Sequence, residues 1–589
     1  MKYTDLFSEV EKPARYAGGE FNLPDMKKPH RIDFCIAFPD IYEVGMSNLG
    51  IQILYDILNK DKDIVCERCF APWTDMGNLL KEKNIPLCSI ETKKPLRNFD
   101  ILGISIQYEL AYTNILYLLD LAGIPFYSED RGENYPLVIA GGPCVANPEP
   151  FAPFFDVIII GDGEEVSLAL ARIVMEHKGD RTAALKEISK LDGCYVPSLS
   201  ERKDGYCITK IKKACVKDLD KAQYPERPLV PNLEIVHDRP VVELYRGCYA
   251  GCRFCQACFF YRPIRIRKKD TVERLTSTLI DATGSEEIGF SSLSSGDYPD
   301  ICSVLGSVYD LCKRKNVKIQ LPSLRLDSYT PELAETARKS SLTFAPEAGT
   351  QRLRDVINKN ITEEDIDRTM RQAFEQGYRS VKLYFMVGLP TETDDDLSGI
   401  VALVRKIKDI YYEISHNHFL NISVSSSIFV PKPVTPFQWA AQMSREETDR
   451  RQQFLRFEFR KMRGVNFHWH DPFASWLEGI FARGDRSLAA LIEEAYRHGA
   501  YFDGWTENFK KDIWQECIDR LQIDTEKFTG SKKVMELLPW DFIDFGVTKE
   551  YLANEYKLAL EGRTSPSCKY HCRGCGAANY AQCEVQKNG

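Results

Sequence analysis

Three cysteines in the middle of the chain are spaced as the ligands of one inorganic centre would be. Cys248, Cys252 and Cys255 stand in a C-x3-C-x2-C pattern, and thiolates at such short spacing can converge on an iron–sulfur cluster. Three protein ligands on a four-iron cluster leave one iron without a protein donor, and an open coordination site is where a substrate can bind. Cys258 follows at a further x2 spacing, so the same group could instead form a four-cysteine zinc site.

A second cysteine group lies near the end of the sequence and repeats this spacing. It consists of Cys568, Cys572 and Cys575, with Cys583 eight residues further on. Cysteines so close to a terminus bury little core, so a metal site explains them better than packing does. The site could be a second iron–sulfur cluster, or a structural zinc site with the same ligands or with His571.

Composition describes a large globular protein. The 589 residues are 44% hydrophobic and 28% charged, with a net charge of −8, which predicts two to four domains and no global attraction to nucleic acid. Eight of the 19 cysteines fall in the two groups above, which favours metal binding over disulfides. No run of 18 apolar residues occurs and the first residues lack a signal-peptide core, so we expect a cytoplasmic protein with no membrane partner.

Alternating strands and helices must position the central cysteines. Between 241 and about 430 a strand–helix unit repeats six times, which predicts a parallel sheet. Chemistry in such β/α barrels sits at the carboxyl ends of the strands, where the notable residues fall. The six strands are expected near 241–246, 287–293, 318–326, 342–347, 380–389 and 421–429.

The cysteine loop after the first of these strands resembles the signature of the radical S-adenosylmethionine (radical SAM) enzymes. The resemblance implies an open (β/α)6 barrel and a [4Fe-4S] cluster on Cys248, Cys252 and Cys255. It also implies reductive cleavage of S-adenosylmethionine to a 5′-deoxyadenosyl radical, with an electron donor such as flavodoxin or ferredoxin as partner. The substrate stays open between RNA, protein and a small molecule.

Further segments of the barrel resemble motifs with which that family holds S-adenosylmethionine. Ser294–Asp297 is similar to the family's Gly-Gly-Glu motif, with aspartate in place of glutamate, and Gly388-Leu-Pro390-Thr-Glu392 is similar to its Gly-x-Pro-x-Glu signature. The resemblance assigns S-adenosylmethionine contacts to Phe254, Ser295, Gly296, Asp297, Arg325, Glu347, Arg352, Gly388 and Pro390.

The first two hundred residues predict a doubly wound parallel sheet with small residues at the carboxyl ends of its strands, where such sheets bind ligands. Placed before the barrel, this domain resembles the cobalamin-binding domain of many radical SAM enzymes. That family's Asp-x-His-x-x-Gly motif reads Asp40-x-Tyr42-x-x-Gly45 here, and a phenol is a poor cobalt ligand. The candidate cobalamin contacts are Asp40, Tyr42, Gly45, Ser105, Gly141, Gly142, Gly161 and Gly163. The alternatives are that the glycines only make turns and that the domain is a degenerate one.

These expectations divide the chain into five parts: 1–200 the cobalamin-binding-like domain, 201–237 a linker, 238–435 the barrel, 436–560 a mostly helical region and 561–589 the cysteine-rich tail. The run from Arg262 to Lys269 carries five positive charges and could hold an anionic substrate or pair with acids.

Three functions follow. The first is methyl transfer through cobalamin. The second is cobalamin-independent radical chemistry resembling that of methylthiotransferases, with sulfur or electrons delivered by the tail cluster. The third is a non-catalytic, zinc-stabilised module that binds RNA or protein.

Overall fold

The computed structural model describes residues 2–299, 301–320, 342–581 and 583. Its N-terminal third is built on a six-stranded sheet in the order β2-β1-β3-β4-β5-β6, in which only β6 runs antiparallel. This order places a topological switch point between β1 and β3, where open α/β sheets bind ligands. The strands are β1 Ile32–Phe38, β2 Ile64–Phe70, β3 Ile101–Ser105, β4 Leu137–Gly141, β5 Val157–Ile159 and β6 Cys194–Tyr195.

Both faces of this sheet are covered, as expected for near-continuous apolar strands. Because side chains alternate along a strand, Phe34 and Ile36 join one core while Cys35 and Ala37 join the other. The same alternation sends Cys66 and Cys69 of β2 to opposite faces. The covering helices are Leu49–Lys60, Thr74–Lys83, Tyr112–Ala122, Glu164–Glu176 and Arg181–Ile188.

A connector follows, with the short strands β7 Arg202–Lys203, β8 Tyr206–Cys207 and β9 Ile211–Lys212. The first two form a hairpin, and β9 pairs in parallel with strand Ile543–Asp544. The connector is therefore tied to the C-terminal region as well as to the sheet that precedes it.

Two parallel sheets form the central domain, one of the order β10-β13-β14 and one of the order β15-β16-β17-β18. Strands occur at the six predicted positions, although 321–326 of the third lie outside the described residues, and β18 adds a seventh parallel strand within the region that we expected to be mostly helical. The bounds are β10 Val241–Glu243, β11 Tyr245–Arg246, β12 Arg265–Ile266, β13 Glu287–Ser291, β14 Lys318–Gln320, β15 Leu342–Glu347, β16 Ser380–Val387, β17 Asn421–Ile428 and β18 Val465–Trp469.

Threonine caps fix where three helices of the central domain begin. Thr350, Thr362 and Thr393 each accept a hydrogen bond from a backbone N–H of the first turn that follows. Such caps satisfy donors that the helix itself leaves unpaired, so Thr350 and Thr393 end the loops that follow β15 and β16, while Thr362 begins the helix after Gln351–Val356. The helices are Gln256–Phe260, Lys269–Thr283, Ile301–Lys315, Gln351–Val356, Glu363–Glu375 and Asp394–Ser415.

The C-terminal helices pack on the N-terminal sheet domain as well as on the barrel. Phe481 lies 5.4 Å from the ring of Tyr112, and Thr113 donates a hydrogen bond of 2.8 Å to Asp503. One apolar core therefore spans the two ends of the chain. The helices are Arg445–Arg460, Pro472–Ala482, Leu488–Arg497, Lys511–Arg520 and Lys549–Leu560. Within the described residues, none of the helices has the length and apolar character needed to span a membrane.

Candidate functional site

The loop after β11 gathers the four central cysteines. Gly247 and Gly251 adopt left-handed backbone conformations with φ of 99° and 80°, which glycine alone adopts without strain. The resulting wrap buries Cys248 and Cys252 and leaves Cys255 half-buried. Side chains of the predicted ligands therefore lie within one tight turn.

Cys258 lies inside the same turn, where it accepts a hydrogen bond of 3.2 Å from the Gly251 N–H. A hydrogen bond from Cys248, together with Arg262 and this N–H, lowers the pKa of Cys258 to about 6, whereas burial raises the pKa of Cys255 to about 12. Cys258 and Cys255 of this loop therefore differ in acidity.

Across the described ranges, no three His, Cys, Asp or Glu side chains converge tightly enough to hold one metal ion. Thiolates are the donors of iron–sulfur clusters, and the same donors also bind zinc, so the donor set of the central loop is chemically suited to either. Assignment of the cluster to Cys248, Cys252 and Cys255 stays a prediction.

The turn after β13 carries the first group of S-adenosylmethionine candidates. Ser295, Gly296 and Asp297 form one 3-10 turn, and Ser294 before it is fully buried. Within the described part of the chain the Ser294 hydroxyl has no hydrogen-bond partner, so it is available to a ligand. Asp297 lies 3.6 Å from the ammonium group of Lys569 in the cysteine-rich tail.

Candidates on the second parallel sheet lie at the carboxyl ends of β15 and β16. Glu347, with a left-handed φ of 67°, pairs with Lys359 at 3.0 Å, and Lys359 lies 6.0 Å from the ring of Phe254. Phe254 and Glu347 are thus joined through one ammonium group. Arg352 is engaged elsewhere, with Asp396 and with the Thr391 carbonyl at 2.8 Å. Arg325 lies outside the described residues.

Gly388 opens the loop that also contains Pro390. Its φ is 92°, and an added Cβ would come within 2.9 Å of Met443, so a side chain at this position would be both strained and crowded. The Gly388 N–H donates a hydrogen bond of 2.6 Å to Glu392. Burial raises the pKa of Glu392 to about 7 although this bond and Arg451 lower it.

A cavity of about 390 Å³ separates the N-terminal sheet from the cluster loop. Apolar side chains of the N-terminal domain form one part of its lining, here called the floor, and Tyr245, Arg246, Gly247 and Tyr261 line it from the side of the cluster loop, here called the mouth. Five cobalamin candidates line it: Ser105, Gly141, Gly142, Gly161 and Gly163. The floor is made by Phe34, Ile36, Leu54, Leu58, Ile139 and Ile159.

The glycines in this cavity serve different purposes. A Cβ on Gly142 would lie 2.4 Å from the Ile106 carbonyl oxygen, and one on Gly161 would lie 2.1 Å from the Ala214 carbonyl oxygen. Those two positions are explained by close backbone packing, as the turn alternative predicts. Gly141 differs, because no heavy atom of the described chain lies within 4 Å of the point that a Cβ on this residue would occupy.

Asp40, Tyr42 and Gly45 are not brought to this cavity, and among the described residues that line it none belongs to that motif. Tyr42 is 2% exposed and donates a hydrogen bond of 3.0 Å to Glu20, while Asp40 accepts one of 3.0 Å from Trp505. A Cβ on Gly45 would strike the Phe70 ring at 2.3 Å. Burial raises the pKa of Tyr42, so its phenol stays neutral and packed.

The basic run pairs with acids, which was one of the two expectations for it. Arg262, Arg265 and Arg267 are at most 3% exposed. Arg265 contacts Asp162, and Arg246 of β11 contacts Asp162 at 2.9 Å and Glu164 at 2.8 Å. Burial opposes ionisation of Asp162, but these guanidinium groups lower its pKa well below the usual range. The run therefore joins the barrel to the N-terminal domain.

The cysteine-rich tail lies directly against the cluster loop, a contact that sequence reasoning missed. The Cys568 N–H donates a hydrogen bond of 2.9 Å to the Tyr249 carbonyl, and Arg262 donates one of 3.7 Å to the Cys568 sulfur. Cys572 is exposed, and Cys575 and Cys583 are half-buried. Neither a second cluster nor zinc is favoured by these positions.

Two family models match the chain. Residues 50–197 match that of the N-terminal region of radical SAM proteins, and residues 242–404 match that of the radical SAM superfamily. An uncharacterised protein of Methanocaldococcus jannaschii is 28% identical over 500 residues, which cover 82% of this chain and 98% of the relative.

Two further similarities cover less of the chain. The ribosomal protein uS12 methylthiotransferase of Treponema denticola is 22% identical over 32% of this chain and 45% of its own length, so less than half of that enzyme is matched. Among solved structures, the radical S-adenosylmethionine methyltransferase TsrM from Kitasatospora setae, with cobalamin and a [4Fe-4S] cluster bound, superimposes with a TM-score of 0.45. That similarity has 13% identity and covers 67% of this chain and 75% of TsrM.

Proposed function

We propose that this chain, whose residues 242–404 match the radical SAM superfamily, cleaves S-adenosylmethionine reductively and transfers a methyl group through cobalamin. One observation carries the second half of the proposal. The cavity beside the N-terminal sheet is lined by Tyr245, Arg246 and Gly247, and the next residue is Cys248. A cofactor in this cavity would therefore lie against the cluster loop.

The cluster loop would hold the iron–sulfur centre. Cys248, Cys252 and Cys255 supply the thiolates, and Gly247 and Gly251 supply the left-handed turns that bring them together. A [4Fe-4S] cluster bound there would supply the electron that cleaves S-adenosylmethionine. The neighbouring aromatic side chains exclude water from this loop: Phe259 is fully buried and Phe260 is 4% exposed.

S-adenosylmethionine would be held by the ends of β13, β15 and β16. The Ser294 hydroxyl and the Asp297 carboxylate are acceptors for its amino group, and Lys359, already paired with Glu347 at 3.0 Å, is a cation for its carboxylate. Asp297 must exchange Lys569, 3.6 Å away, for the amino group when the substrate binds. Gly388 itself has no side chain that would block the adenine.

Cobalamin would enter the cavity with an apolar part on the floor and polar groups at the mouth. Bound there, it would carry the methyl group between S-adenosylmethionine and the final substrate. Gly141 leaves part of the cavity wall without a side chain, and Tyr245 and Tyr261 line the cavity on the side of the cluster loop. Tyr42 contributes no ligand, since its hydroxyl is bonded to Glu20.

A cavity-filling variant tests this proposal. Gly141→Leu places a side chain in open space at a position with ordinary backbone angles, and Gly132→Leu does the same at an exposed loop. After anaerobic reconstitution, Gly141→Leu should lose cobalt uptake from added cobalamin while it keeps its iron content and 5′-deoxyadenosine formation. Gly132→Leu should match the unsubstituted protein. Cobalt uptake by Gly141→Leu equal to that of Gly132→Leu would remove this cavity as the cobalamin site, and the absence of cobalt uptake by the unsubstituted protein would remove cobalamin from the proposal.

A second candidate function is radical chemistry without cobalamin, in which the tail delivers sulfur or electrons. The contact between Cys568 and Tyr249 favours it, because a tail cluster would lie beside the radical cluster. An external donor such as flavodoxin or ferredoxin would still reduce the centre. If neither the unsubstituted protein nor any variant takes up cobalt while product still forms, this second function is the one supported.

A further inference from the structure

A shallow basin on the outer edge of the four-stranded sheet has a lining unlike the rest of the surface. It lies between helix Arg445–Arg460 and β18 and has a volume of about 720 Å³. Its principal side chains are Arg456, Phe457, Arg460, Phe467, His468 and Trp469. In the described sheet β18 pairs with β17 alone, so the basin follows an open strand edge.

Large aromatic rings in this basin face solvent instead of a core. Phe457 is 62% exposed and Trp469 is 42% exposed. Trp469 is nearly parallel to Phe467, with ring centres 5.7 Å apart and an angle of 24°, and the Arg456 guanidinium lies 4.3 Å from the Trp469 ring centre. Exposed apolar groups clustered in this way mark an interaction surface.

The basin is also positively charged. Of the described residues that line it, none carries a carboxylate, whereas Arg456 and Arg460 are cationic. Glu458, on the same helix, pairs with Arg405 at 3.4 Å and Lys461 at 2.6 Å. Because the whole chain has a net charge of −8, this local reversal of sign selects for an anionic partner.

We propose that the basin binds single-stranded nucleic acid. Exposed rings provide stacking platforms for unpaired bases, and nearby arginines pair with phosphates, the combination by which proteins hold single strands. The amides of Gln453 and Asn466 also line the basin and can hydrogen-bond base edges. A protein partner that adds a strand to β18 would need neither the stacked rings nor the arginines.

The position of the basin connects it to the candidate active site. Trp469 pairs in register with Ser426 of β17, and Phe385 of β16 pairs with both Ser426 and Glu347. Trp469 and Glu347 thus lie three strand spacings apart, about 14 Å, at the same end of the sheet. A single strand of nucleic acid bound in the basin can therefore extend to the carboxyl ends of the barrel strands. Only this catalytic consequence rests on the proposed function; binding itself does not.

Fluorescence anisotropy of labelled single strands of about twelve nucleotides tests the inference. The full chain is titrated without reductant at about 50 and about 200 mM salt. Trp469→Ala should weaken binding about 5- to 150-fold, the effect of removing one stacked base. Arg456→Gln with Arg460→Gln should lower the salt slope by about 1.4, since each phosphate contact on a single strand contributes about 0.7. Tighter binding of RNA than of DNA would identify RNA as the substrate class, and equal binding would extend it to both.

Two substitutions at exposed positions outside the basin serve as controls. Phe21→Ala removes the ring of a residue that is 64% exposed, and Arg274→Gln removes the guanidinium group of a side chain that is 56% exposed. Both should bind as the unsubstituted protein does. The inference is overturned if the controls weaken binding as much as Trp469→Ala, if duplex competes as well as single strand, or if an extended peptide of equal charge binds equally. Should Trp469→Ala fail to fold, the arginine pair decides alone. Absence of radical activity would not affect these readings.

Discussion

At the scale of single residues, the three cysteines of the central loop carry most of the assigned chemistry. Cys255 is the most accessible of them, half-buried where Cys248 and Cys252 are buried. Removing its thiolate leaves two protein ligands, which cannot hold a four-iron cluster with one open site. Cys255→Ala should therefore abolish 5′-deoxyadenosine formation from S-adenosylmethionine under strong reductant. Persistent product would refute the cluster assignment, and Cys312→Ala, a buried cysteine on helix Ile301–Lys315, serves as control.

Glu392 predicts a pH dependence of stability. Burial raises its pKa from 4.5 to about 7, so the folded protein binds more protons than the unfolded chain between these values. Stability should consequently fall as pH rises across that window, by at most about 1.4 kcal/mol for each step of one in pH. Glu392→Gln keeps the size and loses the titration, so its melting temperature should fall less between pH 5 and 7.5 than that of the unsubstituted protein. Parallel melting curves would show that Glu392 does not titrate there.

At the scale of elements, the tail and the cluster loop form one unit. Arg253 and Arg573 both bind Glu555, so helix Lys549–Leu560 anchors the loop and the tail together. Cys572 is exposed, so replacing it should disturb a tail metal without disturbing packing. Cys572→Ser should keep S-adenosylmethionine cleavage while the protein loses about four irons or one zinc. Iron and zinc contents equal to those of the unsubstituted protein would exclude Cys572 as a ligand.

Local sequence patterns predicted most of the elements and the central loop, because strand periodicity and ligand spacing both depend on residues that are close in sequence. Strand β18 was hidden within a region of helical periodicity, since Val465–Trp469 is short and half-exposed. Contacts such as Cys568 with Tyr249, or Arg265 with Asp162, join distant parts of the chain and have no local pattern. The family resemblance assigns Arg352 to S-adenosylmethionine, and the fold pairs this residue with Asp396.

For the Asp-x-Tyr-x-x-Gly motif the local pattern is present in the sequence, but the fold does not bring its residues to the cavity. Its spacing matches a cobalt-binding motif except at Tyr42, but the fold turns these residues toward Glu20, Phe70 and Trp505. Sequence similarity predicted the domain type, whereas packing decides which of its residues face the cavity.

At the scale of the whole molecule, the two ends of the chain share a core. Phe481 is 1% exposed and packs on both Tyr112 and Trp514, with ring centres 5.4 Å away in each case. Phe481→Ala should cost about 3–5 kcal/mol and raise amide exchange in helix Tyr112–Ala122 as well as in its own helix. Phe374→Ala, a buried ring that packs on Tyr411 within the barrel, should leave helix Tyr112–Ala122 protected. Protection of that helix in both variants would mean that the two ends are independent.

This shared core also constrains how the protein is made. During synthesis the N-terminal sheet leaves the ribosome long before helix Pro472–Ala482, which covers one of its faces. Domains usually fold in order of synthesis, and exposed apolar surface in the meantime invites aggregation. The nascent sheet must wait, with that face uncovered, while the entire barrel is translated. Cells that overproduce this protein therefore need slow translation or a chaperone that shields the face until the last helices arrive.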